Sequence, residues 1–263
     1  MDTVHAGPDQ AAAPPLRAVR LAWYIHLFTT SGVVVGMLAM QAVFDKKAKL
    51  AMLALLATQV IDGIDGPIAR QYDVKENCPK IDGYVLDLVI DYVTCVMVPA
   101  AFLHRFHLLP HAVSLPLAGL VVFLSAIWFA RTDMMTDDNW FRGFPATWNL
   151  VAPTMLLLRS PKWINAVIVL ALCLLQLTNV PFPHPTRIRD SRNLTLFVTV
   201  AWLFGLTWAT FRWPRLSVFG RSLLIPAVLY YFGLAAWKTA QVTKARRAVG
   251  GSSPSVSTNA STH

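Results

Sequence analysis

Long apolar stretches separated by short polar connections dominate the chain. Stretches long enough to cross a bilayer, taken at about 20 residues each, fall near 21–44, 48–68, 83–103, 112–130, 145–158, 163–181, 194–211 and 216–237. This pattern predicts an all-α integral membrane protein, a polytopic bundle of about eight transmembrane helices. The 145–158 run is short for a full crossing, and tilt or flanking residues would have to lengthen it. The first run is expected to remain as a membrane helix, because a polar stretch carrying Arg17 and Arg20 precedes it rather than a short signal n-region. Residues 1–16 are expected to form a flexible N-terminus, 17–240 one membrane domain, and the Gly/Ser/Thr-rich segment 250–263 a disordered tail.

Composition strengthens the membrane reading. Of 263 residues, 55% are hydrophobic and 14% charged, against about 25% charged in soluble domains, and mean hydropathy is +0.49. The formal charge of +9 suits contact with anionic lipid headgroups before any contact with nucleic acid. Cys78, Cys95 and Cys173 are odd in number and widely spaced, so neither a disulfide framework nor a cysteine metal site is indicated. With the N-terminus inside, the connections on the cytoplasmic side hold fourteen Lys and Arg and those on the other side eight. That bias predicts both termini inside and the connection between Asp65 and Asp87 on the cytoplasmic face. The Lys46, Lys47, Lys49 cluster runs against it.

Four aspartates break the apolar pattern. Asp62 and Asp65 are three apart at the end of the second run, and Asp87 and Asp91 four apart within the third. Each pair therefore lies on one helical face. An unpaired carboxylate at the centre of a membrane helix costs about 2.5–3.5 kcal/mol, less near a helix end, so four of them need a compensating partner. Hard divalent cations take oxygen ligands and are the simplest such partner. Gly83 lies one turn before Asp87 on the same face, and Gly66 and Ala69 are small residues followed by Arg70, a guanidinium suited to phosphate oxygens.

The run Asp62-Gly-Ile-Asp65-Gly66-Pro-Ile-Ala69-Arg70, followed by Gly83-x3-Asp87-x3-Asp91, resembles the signature of the CDP-alcohol phosphatidyltransferases. Eight positions over thirty residues carry the resemblance. Twelve residues separate Arg70 from Gly83, a longer spacer than most of that family has and one similar to its bacterial choline-using branch. The segments Ala22 to Gly32, Asp137 to Asn149 and His184 to Arg189 also look like that branch.

The resemblance implies a site and an activity. Asp62, Asp65, Asp87 and Asp91 would hold two ions, Mg²⁺ or Mn²⁺, against the diphosphate of CDP-diacylglycerol. Asp91 would have a second role as general base on the hydroxyl of choline. Asp62, Gly66, Ala69, Arg70 and Gly83 would contact or make room for the CDP moiety. Choline, a quaternary ammonium, is best held by aromatic faces, with Trp140, Phe141, Trp148 and Tyr84 as candidates and Asn149 or Asp138 as polar partners. Arg187 and Arg189 would grip a lipid phosphate, although a positive-inside cluster explains them almost as well. The activity implied is transfer of the phosphatidyl group to choline with release of CMP, by a homodimer in the bacterial inner membrane. Alternatives are the same chemistry on serine or inositol and, in a different class, a cation or proton-coupled transporter. The transporter reading leaves Gly66, Ala69, Arg70 and Gly83 without a role.

Overall fold

The apolar runs all become helices. The computed structural model describes residues 14–188, 191–215 and 217–250; Arg189 and the tail at 251–263 lie outside them. The helices are α1 (Leu16–Phe44), α2 (Ala48–Gln71), the single turn α3 (Val74–Asn77), α4 (Gly83–Asp91), α5 (Val98–Arg105), α6 (His111–Phe129), α7 (Trp148–Leu158), α8 (Lys162–Gln176), α9 (Arg192–Arg212) and α10 (Val218–Gly250). A π-helical segment, Tyr92–Met97, joins α4 to α5 into one span, Gly83–Arg105. Two three-residue strands, β1 (Trp140–Arg142) and β2 (Pro181–Pro183), pair antiparallel with Phe141 opposite Phe182.

The protein is an all-α polytopic membrane protein. Among the described residues six helices are long and apolar enough to cross a membrane: α1, α2, the α4–α5 span, α6, α9 and α10. The remaining two predicted crossings, α7 and α8, are apolar but have 11 and 15 residues, about 16 and 22 Å at 1.5 Å per residue. They still run between the two loop faces. Where α7 ends, Arg159 donates to the Pro214 carbonyl beyond α9, Arg221 of α10 donates to the Leu158 carbonyl, and Asn165 in α8 donates to Leu108 before α6. At the other end of α8, Arg131 donates to the carbonyls of Gln176 and Thr178.

Small residues set the helix spacing. A Cβ on Gly32 of α1 would lie 3.3 Å from Ile90 of α4 and 3.6 Å from Ile61 of α2, so this glycine faces both acid-bearing helices at once. One turn on, a Cβ at Gly36 would meet Thr94 at 2.9 Å. Close backbone approach through glycine is the usual basis of helix packing in lipid, where no hydrophobic force draws apolar helices together. Gly205 of α9 and Gly220 of α10 do the same for the last two helices, which are further tied by hydroxyl pairs Thr195–Tyr230 at 2.7 Å and Thr199–Tyr231 at 2.6 Å.

A polar knot sits inside the apolar core. Ser125 of α6 and Gln176 of α8 are fully buried, and Ser125 Oγ accepts from Trp148 Nε1 and from Gln176 Nε2, each at 3.0 Å. The three groups satisfy one another, which a buried hydroxyl and amide require.

Candidate active site

Two breaks in regular helix geometry frame the aspartates. Pro67 lies inside α2 and has no N–H to give the carbonyl of Gly63, one turn back between Asp62 and Asp65. On the partner span, Pro99 likewise cannot donate to Cys95. The ladder there widens instead, with Val98 N–H reaching Val93, so the π-helical turn begins directly after Asp91. Such single widened turns recur at functional sites. The start of α4 is fixed by Asp82, whose carboxylate accepts the amides of Tyr84 at 2.9 Å and Val85 at 3.2 Å.

Asp62, Asp87 and Asp91 converge. One carboxylate oxygen from each lies within 4.8 Å of the others, and all three side chains are half-buried. Asp65 is buried one turn along α2 from Asp62 and stands apart from this trio, against Thr29 of α1 and the Gly66 amide, with Arg70 nearby. It remains close enough to act electrostatically on Asp62, Asp87 and Asp91. Thr29 was not singled out from sequence; its trace there is its place in the Ala22 to Gly32 segment, among the polar positions His26, Thr30 and Ser31.

Basic groups rim the acids without pairing to them. Among the described residues the ion pairs lie elsewhere, between Asp45 and Lys47, Asp133 and both Arg131 and Arg142, and Asp138 and Lys238. Arg70 folds back over Gly66, its Nη1 3.3 Å from where a Cβ would be. Arg187, in the turn after β2, is near enough to Asp62 and Asp87 to act on both. His184 is near enough to both arginines to feel their charge. Burial first, then Arg187 and Arg70, push its imidazole down to about 4, so it is neutral at physiological pH. Its ring stacks on Phe141, with centroids 5.1 Å apart and planes 20° apart.

The carboxylate trio suits a hard divalent cation: three oxygens able to face one centre, partly withdrawn from water, with no lysine or arginine neutralising them by direct contact among the described ion pairs. Asp65, outside the trio, adds its charge to the field around it.

Of the aromatic candidates, Phe141 lies against His184, Tyr84 is exposed at the start of α4, and two are withdrawn into the core. Phe141 is half-buried beside His184, and Tyr84 is exposed one residue past Gly83, its hydroxyl 3.9 Å from Met134 Sδ. Trp148 is a core residue instead: it is fully buried, committed to Ser125 and edge-on to Phe144. Trp140 is 1% exposed, and the Lys238 ammonium already sits 5.0 Å from its ring centroid. A face occupied by one cation is not open to another. Asp138 is spoken for by the same lysine at 2.8 Å; burial raises its carboxyl, but hydrogen bonds from Lys238 and Thr136 outweigh this and hold it below its ordinary value. Asn149 is buried and donates to Gln59.

Gly83 does not open onto an empty space. A Cβ there would lie 3.3 Å from Cε1 of His26, a buried α1 histidine whose Nε2 has no hydrogen-bond partner among the described residues.

Known proteins share this sequence along most of its length. The pattern of the CDP-alcohol phosphatidyltransferase family matches residues 23–178. The chain is 39% identical over 234 residues to a phosphatidylcholine synthase of Pseudomonas aeruginosa, covering 89% of this chain and 98% of that protein. It is 43% identical over 200 residues to the phosphatidylcholine synthase of Bradyrhizobium diazoefficiens, covering 74% and 73%. With that of Mesorhizobium japonicum it shares 35% identity over 181 residues, 69% and 68% of the two chains.

Proposed function

The chain belongs to the CDP-alcohol phosphatidyltransferase family, and from that premise we propose that it makes phosphatidylcholine, transferring the phosphatidyl group of CDP-diacylglycerol to choline and releasing CMP. The observation that carries the reading is the convergence of Asp62, Asp87 and Asp91 to within 4.8 Å, inside the segment the family pattern matches. Asp62, Asp87 and Asp91, with Asp65 beside them, are the residues that would hold two divalent ions, Mg²⁺ or Mn²⁺. When bound, such ions neutralise the charge that builds on entering and leaving oxygens during displacement at phosphorus.

The remaining roles fall to the chain's own groups. Arg70 and Arg187 flank the acids and supply positive charge for phosphate oxygens, with the small residues Gly66 and Ala69 letting the CDP moiety approach; Gly83, faced by His26, takes no part in this. The choline oxygen attacks the phosphorus that bears diacylglycerol. Its proton passes to the Asp91 carboxylate, the new P–O bond forms, and the bond to CMP breaks. The exposed ring of Tyr84 and the face of Phe141 turned away from His184 are the aromatic faces left for the trimethylammonium group. Arg189 belongs to the same basic turn by sequence. On this reading the protein works as a homodimer in the bacterial inner membrane, both termini cytoplasmic, where a soluble alcohol meets a lipid diphosphate.

Purified protein in detergent should release CMP only with CDP-diacylglycerol, choline and Mg²⁺ or Mn²⁺ together, and EDTA should abolish release until metal is restored. Asp91→Asn should lower the rate by about 10²-fold or more, the upper part of what general bases contribute. Undiminished release in that variant removes the base role, and preference for serine or inositol in a panel of alcohols replaces the acceptor.

A further inference from the structure

Gln59 stands three residues before Asp62 on α2, and its Nε2 donates to Asp62 Oδ2 at 2.9 Å. That contact is local, since positions three apart share a helix face. Its other end is not. Gln59 Oε1 accepts from Asn149 Nδ2 at 2.8 Å, ninety positions away in sequence. Asn149 occupies the first turn of α7 and is 3% exposed.

The second bond decides the orientation of the first. A carboxamide has one accepting oxygen and one donating nitrogen, so once Asn149 takes the oxygen, Gln59 must turn its nitrogen to Asp62. A reversed amide would set oxygen against carboxylate oxygen and nitrogen against nitrogen. The pair therefore commits one oxygen of Asp62 and fixes the plane of its carboxylate. Asn149 Oδ1 is buried with no hydrogen-bond partner among the described residues. A residue kept for packing alone would be better replaced by leucine, which buries no unmatched acceptor.

We infer that Gln59 and Asn149 are positioning residues that hold the Asp62 carboxylate in the orientation a divalent cation needs, an inference that rests on the reading of the aspartates as cation ligands. Neither touches reacting atoms; both act through Asp62. Groups hydrogen-bonded to metal ligands typically account for about 10–100-fold in metal affinity or activity.

Mn²⁺ binding to the purified protein, read by electron paramagnetic resonance from loss of the free-ion signal, tests this in wild type, Gln59→Met, Asn149→Leu and the double variant. CMP release is followed in parallel. Each single variant should weaken Mn²⁺ binding about tenfold or more and raise the Mn²⁺ concentration for half-maximal activity equally, with KM for choline within about twofold of wild type. The double variant should be no weaker than the weaker single one, because two links of one chain do not add. Mn²⁺ affinities within about twofold of wild type in both folded single variants, or additive losses in the double, overturn the inference. Should Asn149→Leu not fold, Asn149→Ser, too short to reach Gln59, takes its place with the same expectations. A wild-type protein that neither binds Mn²⁺ nor releases CMP overturns the functional reading instead, which keeps the two failures distinct.

Discussion

Gly32 is the residue on which the site's geometry turns. It faces Ile61 and Ile90, the residues immediately before Asp62 and Asp91, so one missing side chain on α1 lets both acid-bearing helices approach. Overfilling a packed contact costs about 1–3 kcal/mol, and a displacement of about 1 Å at reacting groups can cost 10²-fold in rate. Gly32→Leu is therefore expected to lower the melting temperature in detergent and to cut CMP release by more than the stability loss alone predicts. Gly63, with nothing within 4 Å of a Cβ, is the matched control: Gly63→Ala should keep its melting temperature. A Gly32→Leu protein with unchanged activity would show that α1 does not set the spacing of the carboxylates. Such a role was not visible in the sequence, where Gly32 is one small residue among many in an apolar run.

At the scale of elements, the α4–α5 span illustrates how local rules place a functional group. The Asp82 cap starts the helix, two residues later the exposed Tyr84 appears, and Asp87 and Asp91 follow on one face before the π-helical turn. Removing a cap of this kind costs about 1 kcal/mol. Asp82→Ala should lower the melting temperature by a few degrees, as that cost implies, while Asp82→Asn, an equally good cap, should restore it. Equal loss in both variants would point to the charge rather than the cap. The cap, the i, i+4 acids and the prolines all depend on neighbours close in sequence, but of these only the spacing of the acids was read in advance. The pairing of β1 with β2, which seats Phe141 and carries the turn of His184 and Arg187 toward the acids, was not, because strands of three residues give no periodic signal.

For the whole molecule, six spanning helices and the two shorter apolar helices α7 and α8 make a labelling prediction if α7 and α8 cross as the sequence predicts. In a background lacking Cys78, Cys95 and Cys173, a cysteine at Lys75 should react with an impermeant maleimide only from the cytoplasmic side. Cysteines at Lys46 and Lys162 should react only from the opposite side. Lys162 is the informative position, since it lies between the two short helices. Cytoplasmic labelling there would mean that α7 and α8 dip into the membrane without crossing it.

The apolar runs, the all-α membrane class and the two acid pairs with their shared faces came from the sequence, because hydropathy and helical period are properties of contiguous residues. Family membership was likewise carried by contiguous spacing, from Asp62 to Asp91. Tertiary structure alone decided which three acids converge, that Asp65 turns to Thr29, that Trp140 and Trp148 belong to the core, and that Gln59 is held from α7. Each of those outcomes depends on the register of helices far apart in the chain, and in lipid that register is settled by small-residue contacts and buried hydrogen bonds, which no local periodicity encodes.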